Sequence, residues 1–188
     1  MEAILKKEVI TNKQICRLIG IAGFVVLTSL GAFVRVPLLF TPVPLTLQTF
    51  FVLLSGAFLG SRLGAVSQLS YVLLGASGLS IFTQTGSGLS YFYGPTAGYL
   101  AGFILAAFFI GKFIKYGKDN LIAIFGLFCL ADLLLLTCGA IWLRVFLGSS
   151  IPAAVSLGML PFIPGDIIKA FAAAGIYLAL KQRIKEVF

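Results

Sequence analysis

The apolar residues of this chain run in blocks of about twenty, the length that spans the hydrocarbon core of a bilayer. Short stretches between the blocks hold most of the charges, prolines and glycines. Six spans are predicted: about Arg17 to Val34, Thr46 to Leu59, Leu63 to Leu74, Thr96 to Ile114, Leu121 to Leu147, and Phe162 to Leu180. Only Gly60-Ser61-Arg62 separates the second span from the third, so the two read as an antiparallel helical hairpin. Both are short for a crossing, which needs roughly 17 residues. Extension through Pro44-Leu45 and through Ala76-Ser77-Gly78 is expected to supply the missing turns. Pro95 is expected at the first turn of the fourth span, a favoured site for proline. The pattern describes one all-α membrane domain over residues 1–188.

Composition supports this reading. Of 188 residues, 60% are hydrophobic and 11% charged, against about 25% charged in a soluble domain. The first seventeen residues are polar and basic and lead into a full-length apolar block, so no cleavable signal is expected. A net charge of +8 would suit nucleic acid, but in a membrane chain it fits basic cytoplasmic loops. With the N-terminus inside and six crossings, the inner side holds Lys6, Lys7, Lys13, Arg17, Arg62, Lys112, Lys115, Lys118, Lys181, Arg183 and Lys185. Only Arg35, Arg144 and Lys169 lie toward the outside. This positive-inside bias predicts a multi-pass protein of the cell membrane with both termini cytoplasmic.

Several chemistries are excluded. There is no histidine, so no Ser/His/Asp or Cys/His set can form. Cys16, Cys129 and Cys138 make no CxxC and no metal cluster, and read as small packing residues. Gly111-Lys112 is followed by Phe113 and Gly117-Lys118 by Asp119, neither by Ser or Thr, so there is no P-loop. No internal repeat of the transporter kind is visible. Neither a cofactor, a metal nor a catalytic residue is expected. A small binding bundle without its own energy source is the simplest reading.

The outer connections are long, apolar and rich in Pro and Gly: residues 34–48, 88–102 and 148–166. Such segments are expected to fold over the bundle as a lid. GLSYFYGPTAGYLAG brings Tyr91, Phe92, Tyr93 and Tyr99 to this side. Tyrosines there can form an interfacial belt, or the wall of a small-ligand pocket. Gly94, Gly98 and Gly102 form a small-residue stripe suited to close helix contact. Asp166 and Lys169 stand three apart in the last span and share a face. They are either a locking ion pair or an acceptor and a cation offered to a ligand. Asp132 is a second acid in a span, able to pair with Lys169. Arg35 and Arg144 lie near the interface and either snorkel or bind an anion. Gln48 follows the proline loop, from where its amide can reach a ligand; Gln68 is deeper and suits a bridge between helices.

Three stretches together closely resemble the BioY family: PVPLTLQTFFVLLSGAFLGSRLGAVSQLSYVLLG (42–75), YGPTAGYLAGF (93–103) and LPFIPGDIIKA (160–170). The resemblance covers roughly residues 20–181. It implies a six-helix S component of an energy-coupling-factor (ECF) vitamin transporter that binds biotin from outside. It implies docking on a transmembrane T subunit with two ATP-binding-cassette ATPases, and toppling in the membrane to release biotin inward. The family's small-residue docking motif on the first helix is matched loosely, by Cys16, Gly20, Ala22 and Gly23. Biotin suits the polar residues: Asp166 to accept from the ureido N–H groups, Gln48 or a tyrosine to donate to its carbonyl, Tyr93, Tyr99 and Phe92 around the rings, and Lys169 or Arg35 for the carboxylate. The reverse arrangement, with an Asp166–Lys169 pair on the ureido group, is equally open.

Two other classes compete. A membrane enzyme acting on a lipid-like substrate would need paired acids for a metal, for which only Asp132 and Asp166 are available. A structural assembly protein would use the glycine stripes for packing alone. A transporter that works without partner subunits is a variant of the main reading.

Overall fold

The computed structural model describes residues 12–117 and 119–185, with side chains described to Gln182. Lys6, Lys7 and Lys118 lie outside the described residues, as do the side chains of Arg183 and Lys185. Helix α1 runs over Lys13–Phe33, four residues ahead of the expected start. Asn12 caps it, its side chain accepting from the Gln14 and Ile15 amides. Helix α2 is Gln48–Ala76, α3 Ala97–Phe113, α4 Leu121–Leu147, α5 Ile151–Gly158 and α6 Ile163–Lys185. Asn120 caps α4 in the same way as Asn12 caps α1, and left-handed Gly148 ends it. Among the described residues, five helices are long and apolar enough to cross a membrane.

One of these five is folded on itself. Gly60 breaks α2 with φ 78° and ψ −179°, a conformation that favours glycine. The arms return antiparallel, as the side-chain bonds Gln48–Tyr71 and Ser55–Gln68 show. The expected hairpin is therefore present and the bundle has six helical legs. At 1.5 Å per residue the arms are about 18 and about 24 Å long. The second arm does extend, to Ala76. The first does not reach back to Pro44-Leu45, because Leu45–Thr46 forms strand β2, paired antiparallel with β1, Arg35–Val36. The loop after α1 is thus a small ribbon, a β element that the all-α expectation did not contain. Two further corrections follow. Pro95 stands ahead of α3, whose cap is Thr96. Residues 148–166 contain α5, capped by Ser150 with Pro152 in its first turn.

α2 packs on α1 and α3, α3 on α4, and α6 closes the bundle against α4 and α2. Small residues set the spacing. A Cβ on Gly98 would fall 2.5 Å from the Cys138 carbonyl oxygen of α4, and one on Gly102 2.9 Å from that of Leu135. The expected stripe therefore faces α4, with Gly94 joined through its carbonyl, which accepts from Trp142 Nε1 at 2.8 Å. A Cβ on Gly111 would meet the Ser61 amide nitrogen at 2.1 Å, at the α2 turn. Gln68 bridges as expected, donating to Ser55 Oγ (3.1 Å) beside Thr28 of α1. Apolar side chains such as Leu18, Val26, Leu130, Ile141 and Ile168 remain exposed around the belt, where lipid would cover them.

Gly111→Ala should therefore destabilise the protein by about 1–3 kcal/mol through overpacking. Gly175→Ala, with nothing within 4 Å of the added carbon, should be neutral or slightly stabilising. Thermal unfolding in detergent measures both, and equal melting temperatures would contradict the close approach at Gly111.

Candidate ligand-binding site

The bundle opens at the end that carries the ribbon and the connection 77–96. There a cavity lies among α2, α3, α4 and α6, about 510 Å³ with the open space at its mouth included. Its deep polar end is built from the first turns of α6. Asp166 lies in the first turn, where the helix dipole favours an anion. Lys169 follows on the same face and is in direct ionic contact with Asp166 Oδ1. The ammonium also donates to Thr49 Oγ1 (2.5 Å) and to the Thr46 carbonyl (3.0 Å). An ammonium has three N–H donors, so all of them are engaged. Asp166 Oδ1 also accepts from Thr49 Oγ1 at 3.3 Å. Asp166 is buried, its side chain 4% exposed, and Lys169 is partly buried, 11% exposed.

Asp132 reaches the same region from α4. It is buried and neighbours Asp166 and Lys169. Two carboxyls thus stand against one ammonium here, of which Asp166 lines the cavity and Asp132 lies behind it. Asp132 Oδ1 and Asp166 Oδ2 are buried and receive no N–H or hydroxyl hydrogen bond, while the two carboxyls lie within hydrogen-bond reach of each other. A buried acceptor left unpaired is costly and calls for a donor. The cavity's deep end is therefore matched to N–H groups and mismatched to an anion.

The walls are aromatic. Tyr71 of α2 is fully buried, accepts from Gln48 Nε2 (2.6 Å) and donates to the Ile81 carbonyl (3.1 Å). It lies 6.4 Å from Phe103, ring to ring. Tyr91 stacks on buried Phe82 at 4.5 Å and its hydroxyl pairs with Thr83 Oγ1 at 2.6 Å. Tyr99 sits over Gly139, where no Cβ would fit, and donates to the Gly158 carbonyl at 2.7 Å. That bond fastens the end of α5 to the cavity wall, so part of the 148–166 connection does fold onto the bundle.

The chain matches the family model described as the BioY family over residues 6–186. The chain belongs to the BioY family. Similar proteins include "Biotin transporter BioY" of Thermotoga maritima, 40% identical over 166 residues, covering 88% of this chain and 96% of the relative. "Probable biotin transporter BioY" of Pyrococcus horikoshii is 43% identical over 154 residues, covering 81% and 88%. Among solved structures, the S component for biotin from an ECF-type ABC transporter superposes with a TM-score of 0.86 at 28% identity. That match covers 92% of this chain and 94% of the other.

The three BioY motifs converge on the cavity. The first supplies Val43, Pro44, Thr46, Gln48 and Thr49, the second Thr96 and Tyr99, the third Asp166 and Lys169. Of the residues singled out in the sequence, Asp166, Lys169, Gln48, Tyr91 and Tyr99 line it. Phe92 packs edge-on against Phe82, outside the lining. Tyr93 is 80% exposed, because the short 3-10 turn Leu89–Tyr93 aims it away from Tyr91. Arg35 is exposed on β1, and Arg144 borders a separate apolar groove beside α5. On α1, Cys16 is buried, whereas Gly20 is half-buried and Ala22 and Gly23 are exposed, so the four do not share one open face. Thr49, Tyr71 and Phe103 were missed. All three lie within the motif stretches 42–75 and 93–103, Thr49 next to Gln48, but Tyr71 and Phe103 looked like ordinary apolar-span residues.

Lys169→Met should leave buried acid without its cation and destabilise the fold by about 3–5 kcal/mol. Lys169→Met with Asp166→Asn should recover part of that loss. Melting temperatures in detergent test the pair, and a single variant as stable as the wild type would contradict the buried charge cluster.

Proposed function

We propose that this chain is the substrate-binding subunit of an ECF transporter, that it captures biotin at the outer face of the membrane, and that this cavity is its site. Partners are a T subunit and two ATP-binding-cassette ATPases, which supply the energy for inward delivery. The cavity mouth, formed by the ribbon loop and residues 77–96, faces outward, in keeping with the bias of Lys and Arg to the other side.

The Asp166 carboxylate oxygen that receives no N–H or hydroxyl hydrogen bond carries this reading. Biotin has a ureido edge with two N–H donors, which Asp166 needs. Its carboxylate offers only acceptors. With every Lys169 N–H engaged and Asp132 nearby, that group is poorly suited to the deep end. The ureido ring therefore points to α6 and the valerate chain to the mouth. Tyr71, Tyr91, Tyr99, Phe103 and Phe162 enclose the fused rings.

Calorimetric titration of biotin into the detergent-purified protein should give one-to-one binding. Asp166→Asn should weaken it by about 1.5–3 kcal/mol, the worth of a charged hydrogen bond, which is roughly 10- to 150-fold. Tyr93→Ala should leave affinity unchanged. Full affinity in Asp166→Asn would move the ureido group elsewhere, and no binding by folded protein would reject biotin as the ligand. In cells, uptake should need co-expressed T and ATPase subunits; uptake by this chain alone would instead mark a self-sufficient transporter.

A further inference from the structure

Beyond its mouth lies a more open space of about 880 Å³, solvent at its outer side included, lined by residues of the ribbon loop and of the connection 82–96. Pro44, Thr83, Tyr91 and Thr96 line both spaces and form the threshold between them. The outer space is polar but uncharged. Gln84, Ser87, Ser90 and Thr96 present amide and hydroxyl groups, and no Lys, Arg, Asp or Glu is among its lining residues. Its rim is held in an uncommon shape. Gln84 and Thr85 both adopt left-handed φ, 59° and 56°, a cost that non-glycine residues bear mainly where the surrounding structure requires it. The turn that contains them is closed by Phe82 N to Gly86 O (3.1 Å) and places Thr83 against Tyr91 at the threshold.

This placement bears on which part of the ligand is read, and it rests on the biotin reading and orientation proposed above. A ureido ring at Asp166 leads the valerate chain toward Thr83, Tyr91 and Thr96. Its carboxylate meets hydroxyls there. Hydroxyls donate to a carboxylate oxygen and to an amide or ester carbonyl alike, and also accept from an amide N–H. Among the described residues no cation stands at the threshold to be left unpaired when the ligand's negative charge is removed. The outer space has room for a substituent and opens away from the bundle.

We infer that the site selects the ureido ring system and not the free acid, and that carboxyl-conjugated biotin, such as the amide of biotin with the lysine side chain, is also a ligand. The threshold hydroxyls hold the amide, and the lysyl part occupies the outer space. The substrate class is thus biotin together with its small carboxamides, the form that proteolysis of biotinylated proteins would release.

Titration of three ligands into the wild-type protein tests this: biotin, its methyl ester and Nε-biotinyl-lysine. Removing one partner of a buried charged contact weakens binding by about thirtyfold or more. Affinities for the ester and the lysyl amide within thirtyfold of biotin are the expected result. A loss beyond thirtyfold for either would overturn the inference, since it would mean that the free carboxylate is read by a cation or that the outer space is closed. Biotin binding tightly while both conjugates fail would leave the function intact and remove only this inference. Failure of biotin itself would remove the function and this inference with it.

Discussion

The Lys169 ammonium ties the functional end of the molecule together. In a bilayer no water is present to satisfy a charged group, so its partners must come from the protein. They come from Asp166 on α6, Thr49 at the start of α2 and the carbonyl of Thr46 in β2. One side chain therefore sets the last helix against the first turn of the hairpin and against the ribbon ahead of it. The ribbon is short, yet it orients the Thr46 carbonyl toward Lys169 and places Gln48 for its bond to Tyr71.

How the bundle packs is visible in residue size. Near the α2 turn, Gly56 approaches Ala107, Gly64 approaches Gly56 and Gly111 meets the turn itself, all at distances that leave no room for a side chain. At the other end the helices are held around large rings: Tyr71, Phe82, Tyr99 and Phe162. Close glycine contacts occur at this end too, Gly98 on Cys138 and Gly139 under Tyr99, so the rings stand beside tightly packed helix pairs. The cavity lies among these rings, with Asp166 and Lys169 in one wall and the hydroxyls of Thr83, Tyr91 and Thr96 where it meets the loops.

That arrangement gives the site its chemistry. Acceptors dominate at the Asp166 wall, where two carboxyls share one cation. A ligand with N–H donors at one end and an acid at the other enters such a field in one sense only. In the proposed complex the binding free energy lies in desolvated hydrogen bonds to Asp166 and in ring contacts, where water is excluded and such bonds are strongest.

By itself the sequence determined the membrane class, the helical legs and the hairpin, because blocks of apolar residues match the bilayer thickness and a glycine-bearing break must turn. It also determined that Asp166 and Lys169 act together, since three residues in a helix bring side chains to one face. The order of the motifs pointed to the family. The tertiary structure alone decided that Tyr71, Phe103 and Thr49 join the cavity while Tyr93, Phe92 and Arg35 do not line it. It alone placed Asp132 beside Asp166, folded residues 148–166 into α5, and turned Cys16 inward. The physical reason is twofold. Lys169 meets Thr46 and Thr49 across more than a hundred residues of chain, and no local pattern encodes such a contact. In a membrane, moreover, lipid-facing and core-facing side chains are equally apolar, so hydropathy locates a helix without showing which of its faces looks inward.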